Sequence, residues 1–387
     1  MAGKCQLGYD SGQSQGNQQR GFRLSLDIEQ GSMEPDQKQA VRGFWFASLV
    51  CLLVSGCLSR SGSEVVVYTA LDKEFSEPVL DDFQEVSEIS VLAKFDVESN
   101  KTVGLANEII NQASRQRCDV FWNNEILHTL RLKKQGLLRP YKSPLADQYP
   151  SLFTSPDHDW YGFAARARVL IVNTDLLPNP KEWPTSVVDL ADPRWKDRCA
   201  MARPLFGTTA THAAVLFSDW GEERAKTFLD AVAENAKIEG GNKQVATNVA
   251  RGRYSFGLTD TDDAIIEIEN GAPVAIIFPD QGAEGMGVLL IPNTLALMKD
   301  GPNSGGGQRL IDYLLQSEVE QRLAAGPSAQ IPLNRNSTTR SRVELQGGLE
   351  GELKVMEVNF ELAAEAWPKI TPYLEAAFPL GGRSNLP

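Results

Sequence analysis

Three short segments of this chain carry side chains suited to gripping a small charged solute. The sharpest is Asp260-Thr261-Asp262-Asp263. Carboxylates grouped at a strand end can ligate a hard cation through oxygen, or hold an ammonium group. A second reading stands beside this one. Asp260 can be a helix N-cap, with Asp263 three residues on in a capping-box-like start. That accounts for Asp260 and Asp263 but leaves Asp262 without a task. The segment is not an EF-hand loop, since Ile265 stands where that loop needs glycine.

The second segment is Gly207-Thr208-Thr209-Ala210-Thr211. It falls between a strand and a helix, where unpaired N–H groups and the helix dipole favour an oxyanion. Small residues let the anion approach, and the hydroxyls of Thr208 and Thr209 can add hydrogen bonds. A plain N-cap is compatible with this. The third feature is Arg166 with Arg168, two apart on a strand and so on one face. Such guanidiniums either bind an anion bidentately or close ion pairs. Polar residues also follow two other strands: Tyr68, Thr69 and Asp72, then Asn124 and Glu125. They suit a cleft wall, and equally suit turn and cap chemistry. Tyr68 could offer a phenolate.

These residues need elements to hold them at strand ends. Residues 64–70, 90–95 and 118–122 read as strands, alternating with helical spacing at 75–86, 105–113 and 125–135. That rhythm predicts a mainly parallel sheet covered on both faces. Residues 161–173 form one long apolar strand, long enough to leave one lobe and enter another. A second α/β set follows to residue 278. Residues 287–292 carry the chain back, and helices at 308–315 and 319–325 rejoin the first lobe. Residues 301–307 read as a flexible loop. A tail helix at 363–377, broken by Pro368 and Pro372, is expected on the second lobe. The fold class is α/β, in two lobes joined by crossing strands. The lobes are residues 64–167 with 289–338, and residues 168–288 with 339–387. The ligand belongs between them, beyond the carboxyl ends of the strands.

Composition narrows the partners. The 387 residues are 42% hydrophobic and 23% charged, with a net charge of −12. The acidity opposes nucleic acid and anionic membrane surfaces. The three histidines form no HExxH and the five cysteines no CxxC, so a zinc site of that kind is not expected. No GxSxG is present either. A carboxylate-dependent hydrolase is the remaining enzymatic alternative. No resident cofactor is expected.

Residues 44–54 form an apolar run after Lys38 and Arg42, closing on Val54-Ser55-Gly56-Cys57. The run is too short to span a bilayer and suits a signal peptide. The ending resembles a bacterial lipobox, which implies lipidation of Cys57 and removal of residues 1–56. Met33 is a plausible start within that leader. The lipid is then the sole expected membrane attachment, on the periplasmic side or the cell surface.

The strand ends carry a wider resemblance. Val66-Val67-Tyr68-Thr69-Ala70, Asp119-Val120-Phe121-Trp122 and Ala165-Arg166-Ala167-Arg168-Val169-Leu170-Ile171 are its first three segments. They are followed by the segment from Asp189 to Lys196, then Pro204-Leu205-Phe206-Gly207-Thr208-Thr209, then Phe278-Pro279-Asp280-Gln281-Gly282. In this order they resemble the periplasmic solute-binding proteins of ABC importers, specifically the ferric-ion-binding group. That resemblance implies a class II binding-protein fold and a monomer that delivers solute to an importer permease. It implies ferric iron as the transported ligand, with an accompanying anion. A phosphonate, a sugar phosphate or another small oxyanion is the alternative. The group typically holds metal with an adjacent tyrosine pair, which falls here at Asp262 and Asp263. Its first-lobe histidine falls near Asp72, and its carboxylate near Asn124 or Glu125.

Overall fold

A computed structural model describes residues 64–96, 103–346 and 352–379. The lipobox, Cys57 and the leader lie outside the described residues. Three βα units come first: β1 (Glu64–Thr69), α1 (Lys73–Ser87), β2 (Ser90–Phe95), α2 (Val103–Asn111), β3 (Val120–Asn123) and α3 (Leu127–Lys134). The long β4 (Tyr161–Asn173) leads to β5 (Cys199–Ala202), α4 (Gly207–Trp220), α5 (Glu222–Asn235), β6 (Lys237–Glu239) and α6 (Asn242–Ala250). Next come β7 (Phe256–Asp260), α7 (Thr261–Glu269), β8 (Val274–Ile277) and β9 (Leu290–Leu297). The chain ends in α8 (Ser304–Leu314), α9 (Ser317–Ala325), α10 (Arg342–Gln346) and α11 (Phe360–Ala377).

The helices form because their apolar residues recur on one face. In α1 the buried side chains are Phe75, Val79, Leu80 and Phe83, and Glu88 closes the helix in a left-handed conformation. β3, β4, β5, β7 and β9 are buried along their whole length, whereas β2 at the sheet edge has no buried residue.

The strand order is β2-β1-β3-β9-β4-β7-β5-β6, with β8 also on β4. β1 pairs in parallel with β2 and β3, and β5 with β6 and β7. Between these parallel sets, β4 and β9 run antiparallel to their neighbours. The sheet is therefore mixed rather than mainly parallel. Two crossing strands replace the crossover helices that parallel pairing would require. β4 joins the halves directly. Its residues 161–167 pair with β9, and residues 168–173 with β7 and β8. This is the two-lobed class II binding-protein fold with crossing strands at its hinge.

Two expectations for the C-terminal third change. Residues 304–307 are helix, not loop. Asn303 caps α8 by accepting from Gly306 N at 2.9 Å, and a Cβ on Gly307 would lie 2.7 Å from Leu297 Cδ1. The glycines there permit close packing. Helix α11 also runs unbroken through Pro368 and Pro372. Each proline withdraws one N–H from the helix, from the carbonyls of Ala364 and Pro368. Those residues line an open groove of about 580 Å³ between α3 and α11, where water can reach them. The helix packs against both α4 and α3 rather than on one half alone. Phe360 meets Phe153 with ring centroids 6.5 Å apart, and Glu361 pairs with Lys133 at 2.9 Å. Further along, Tyr373 lies edge-on to Phe217 and donates to Lys226 O. Cys118 and Cys199 are separate buried thiols. No described helix is long and apolar enough to cross a membrane.

Candidate functional site

β7 ends at Asp260 directly opposite Arg168 of β4. Arg168 Nη1 donates to Asp260 Oδ1 at 2.6 Å and to Thr208 Oγ1 at 3.1 Å, while Nη2 donates to Thr209 Oγ1 at 3.2 Å. Thr208 donates to Asp260 Oδ2 at 2.6 Å. Asn242, the first residue of α6, completes the set: its Nδ2 donates to Asp260 Oδ2 at 2.9 Å and its Oδ1 accepts from Thr209 at 3.0 Å. Arg168 is 0% exposed and Asp260 2%. Four residues expected at the ligand thus bond chiefly to one another. Thr208 and Thr209 have their hydroxyls engaged by Arg168, Asp260 and Asn242. Asp260 does occupy the N-cap position of α7, but its side chain makes no cap bond. Its carboxylate goes to the arginine, because a buried guanidinium needs a counter-charge more than a helix end needs a cap.

Arg166 differs. It is 6% exposed, and Nη1 lies 3.4 Å from Asp262 Oδ2. Its Nε and Nη2 are buried and have no hydrogen-bond partner. Burial opposes its charge, but Asp262, Asp260, Asp72 and Asp263 outweigh that and raise its pKa. One carboxylate oxygen from each of Asp260, Asp262 and Asp263 lies within 4.8 Å of the others. The site is therefore an acidic cluster with a buried guanidinium edge beside it. Asp262 is 7% exposed and Asp263 half-buried. Asp72 comes from the other half of the sheet, at the N-cap of α1, and makes no side-chain cap bond there.

The remaining first-half residues diverge. Tyr68 points at α2, where its hydroxyl meets Glu108 at 3.2 Å and Gln112 at 3.3 Å. Burial, then Glu108, raises its pKa, which opposes a phenolate. Thr69 is buried and accepts from Leu71 N. Glu125 caps α3, accepting from Leu127 N at 2.5 Å and His128 N at 3.0 Å, and from Asn123 and Thr211. Its carboxylate is a structural cap. Asn124 is buried with Oδ1 unpartnered. Gly207, at φ +55°, opens α4, whose N-terminus has no side-chain cap. A cleft of about 530 Å³ runs past Asp72, Asp96 and Lys243, and so lies between α1 and α6. Asn242 was not among the residues expected at the site. Gly240-Gly241 ahead of Asn242 was the available sign of a helix start.

A family model described as bacterial extracellular solute-binding protein matches residues 128–343. The chain belongs to that family. Among curated relatives of this solute-binding protein, iron uptake protein A1 of Synechocystis sp. is 27% identical over 270 residues, covering 63% of this chain and 73% of its own. Among solved structures, apo ferric ion-binding protein A of Pasteurella haemolytica superposes with a TM-score of 0.72 at 20% identity, covering 82% of this chain and 98% of that one. The periplasmic binding protein AfuA of Actinobacillus pleuropneumoniae, with fructose-6-phosphate bound, gives 0.69 at 20% identity, covering 82% and 99%. Relatives of this kind are solute-binding proteins rather than enzymes. Positions 262 and 263 of this solute-binding protein are aspartates, not tyrosines. Nearby in sequence, the Tyr254 hydroxyl is held by Glu239 at 2.6 Å, and burial with that contact pushes it up to about 12.

Proposed function

We propose that this protein captures ferric iron, with an accompanying oxyanion, and hands it to the permease of an ABC importer. The observation that carries this reading is the triad of carboxylates at Asp260, Asp262 and Asp263 beside the unmet Nε and Nη2 of Arg166. A ferric ion is hard and takes oxygen ligands. Asp262 and Asp263 would ligate it, with Asp72 closing from the opposite half. Asp260 is held by Arg168 and serves as their anchor. An oxyanion on Arg166 would complete the coordination through charge-assisted bonds. The names of iron uptake protein A1 and of the ferric ion-binding protein support the choice of cargo.

In this reading the lobes are residues 64–167 with 289–338, and residues 168–288 with 339–387. Solute touching both stabilises the closed form, which the permease then recognises. The protein acts as a monomer on the outer side of the membrane, tethered by lipid on Cys57. Native mass spectrometry with elemental analysis of freshly purified protein tests the cargo. About one iron per chain is the expected result. An organic phosphate mass without iron favours the second reading, a sugar phosphate or phosphonate held by Arg166. That reading draws on the same guanidinium edge and on the fructose-6-phosphate-bound neighbour.

A further inference from the structure

Glu320, on α9, is 0% exposed. Its carboxyl oxygens are met by backbone N–H groups. Oε1 accepts from Ala164 N at 2.5 Å and Leu333 N at 3.1 Å, and Oε2 from Asn334 N at 2.6 Å. Ala164 sits at φ +42°, a left-handed conformation unusual for a residue with a Cβ. Its carbonyl accepts from Asn293 Nδ2, so both sides of this residue are held.

Ala164 is where β4 and β9 lose register. Phe163 faces Asn293, but Arg166 faces Ile291, so Ala164 and Ala165 together oppose the single residue Pro292. Pro292 has no N–H to give to the ladder. Ala165 instead exchanges backbone bonds with Ile331, at 2.8 and 2.7 Å. An extra residue in a strand shifts the alternation of every side chain after it. The first charged side chain after this bulge is Arg166.

We infer that Glu320 is a positioning residue for the solute site, fixing the bulge at Ala164 that aims Arg166 at Asp262. Without the bulge, strand alternation would turn Arg166 to the opposite face of the sheet. The inference rests on the reading that Arg166 meets the solute, and two readouts keep the two separable.

The first readout needs no ligand. It is the arginine Nε–H NMR signal of Arg166, assigned by its loss in R166K. In E320Q an amide replaces one acceptor oxygen, and the signal is expected to move to that of a solvent-exchanging guanidinium. Glycine adopts positive φ without strain, so the double variant E320Q/A164G is expected to return the signal to its wild-type position. The second readout is affinity for ferric ion supplied as its citrate complex. It is expected to fall about 10–100-fold in E320Q and to recover to within about threefold in the double variant. An Arg166 signal unmoved in E320Q, or one that A164G fails to restore, overturns the inference. Wild-type protein that takes up no ferric ion overturns the iron reading alone, and the NMR arm still decides. Should E320Q not fold, E320D keeps the carboxylate but shortens its reach to Ala164 N, and an unmoved signal there overturns the inference equally.

Discussion

Arg168 and Asp260 face one another across the β4–β7 pair, Nη1 to Oδ1 at 2.6 Å, with both side chains sealed from solvent. Removing one partner of such a pair strands the other charge. Asp260→Asn is expected to lower stability by about 3–5 kcal/mol, read as a shift in the urea midpoint. A loss under about 1 kcal/mol would mean the pair is not the anchor described here.

Asp262 and Asp263 carry the proposed metal. Asp262→Asn and Asp263→Asn should each lower ferric affinity by about 100-fold or more, beyond the loss typical of an outer-shell partner. Competition with citrate measures this. The iron-loaded wild type should also lack a visible tyrosinate charge-transfer band. A purple protein would place the metal on a phenolate instead.

His212 gives a pH signature. It is buried beside Arg168, and burial, then that guanidinium, lowers its pKa to about 3. The unfolded chain binds this proton near pH 6.5 and the folded one does not. Stability from this group is therefore complete above pH 6.5 and lost as pH falls toward 3. His212→Gln removes the term, so the variant should lose roughly 2–3 kcal/mol less than wild type between pH 7 and 4.5. Parallel urea midpoints at the two pH values check it, since the carboxylates contribute alike to both proteins.

Thr211 of α4 donates to Glu125 Oε2 at 3.1 Å, joining the second set of helices to the cap of α3. Thr211→Val deletes that bond. A net hydrogen bond of about 1 kcal/mol shifts a two-state balance about fivefold, so the ligand-free variant should populate a more open form. Small-angle scattering would register a larger radius of gyration. An unchanged radius would show that the contact does not bias the halves.

The fold was largely legible because its signals are local. β4 announced itself as thirteen apolar-rich residues, and the βα repeats by their spacing. The site was legible by type but not by partner. The shared face of Arg166 and Arg168 follows from strand alternation, yet Arg168 closes on Asp260, 92 residues away. Periodicity does not say which strand lies alongside, so a buried ion pair and a binding arginine look the same in sequence. Alternation did contain a warning at Tyr68 and Thr69. Adjacent strand residues point to opposite faces, and only one could have met the cleft. The mixed sheet escaped because β9 reads like any apolar strand, and direction is not written in composition.

The last helix is moored near its start to Phe153 and Lys133, and near its end to Phe217 and Lys226. Lys133 lies in α3 and Phe153 in a short 3-10 turn ahead of β4, while Phe217 lies in α4 and Lys226 in α5. Parting the halves cannot then be a free swing of two rigid bodies, since one mooring must slip or the helix must flex. If the halves part, the chain carries its own tether across the gap, and the slack in that tether would set how wide the mouth can gape.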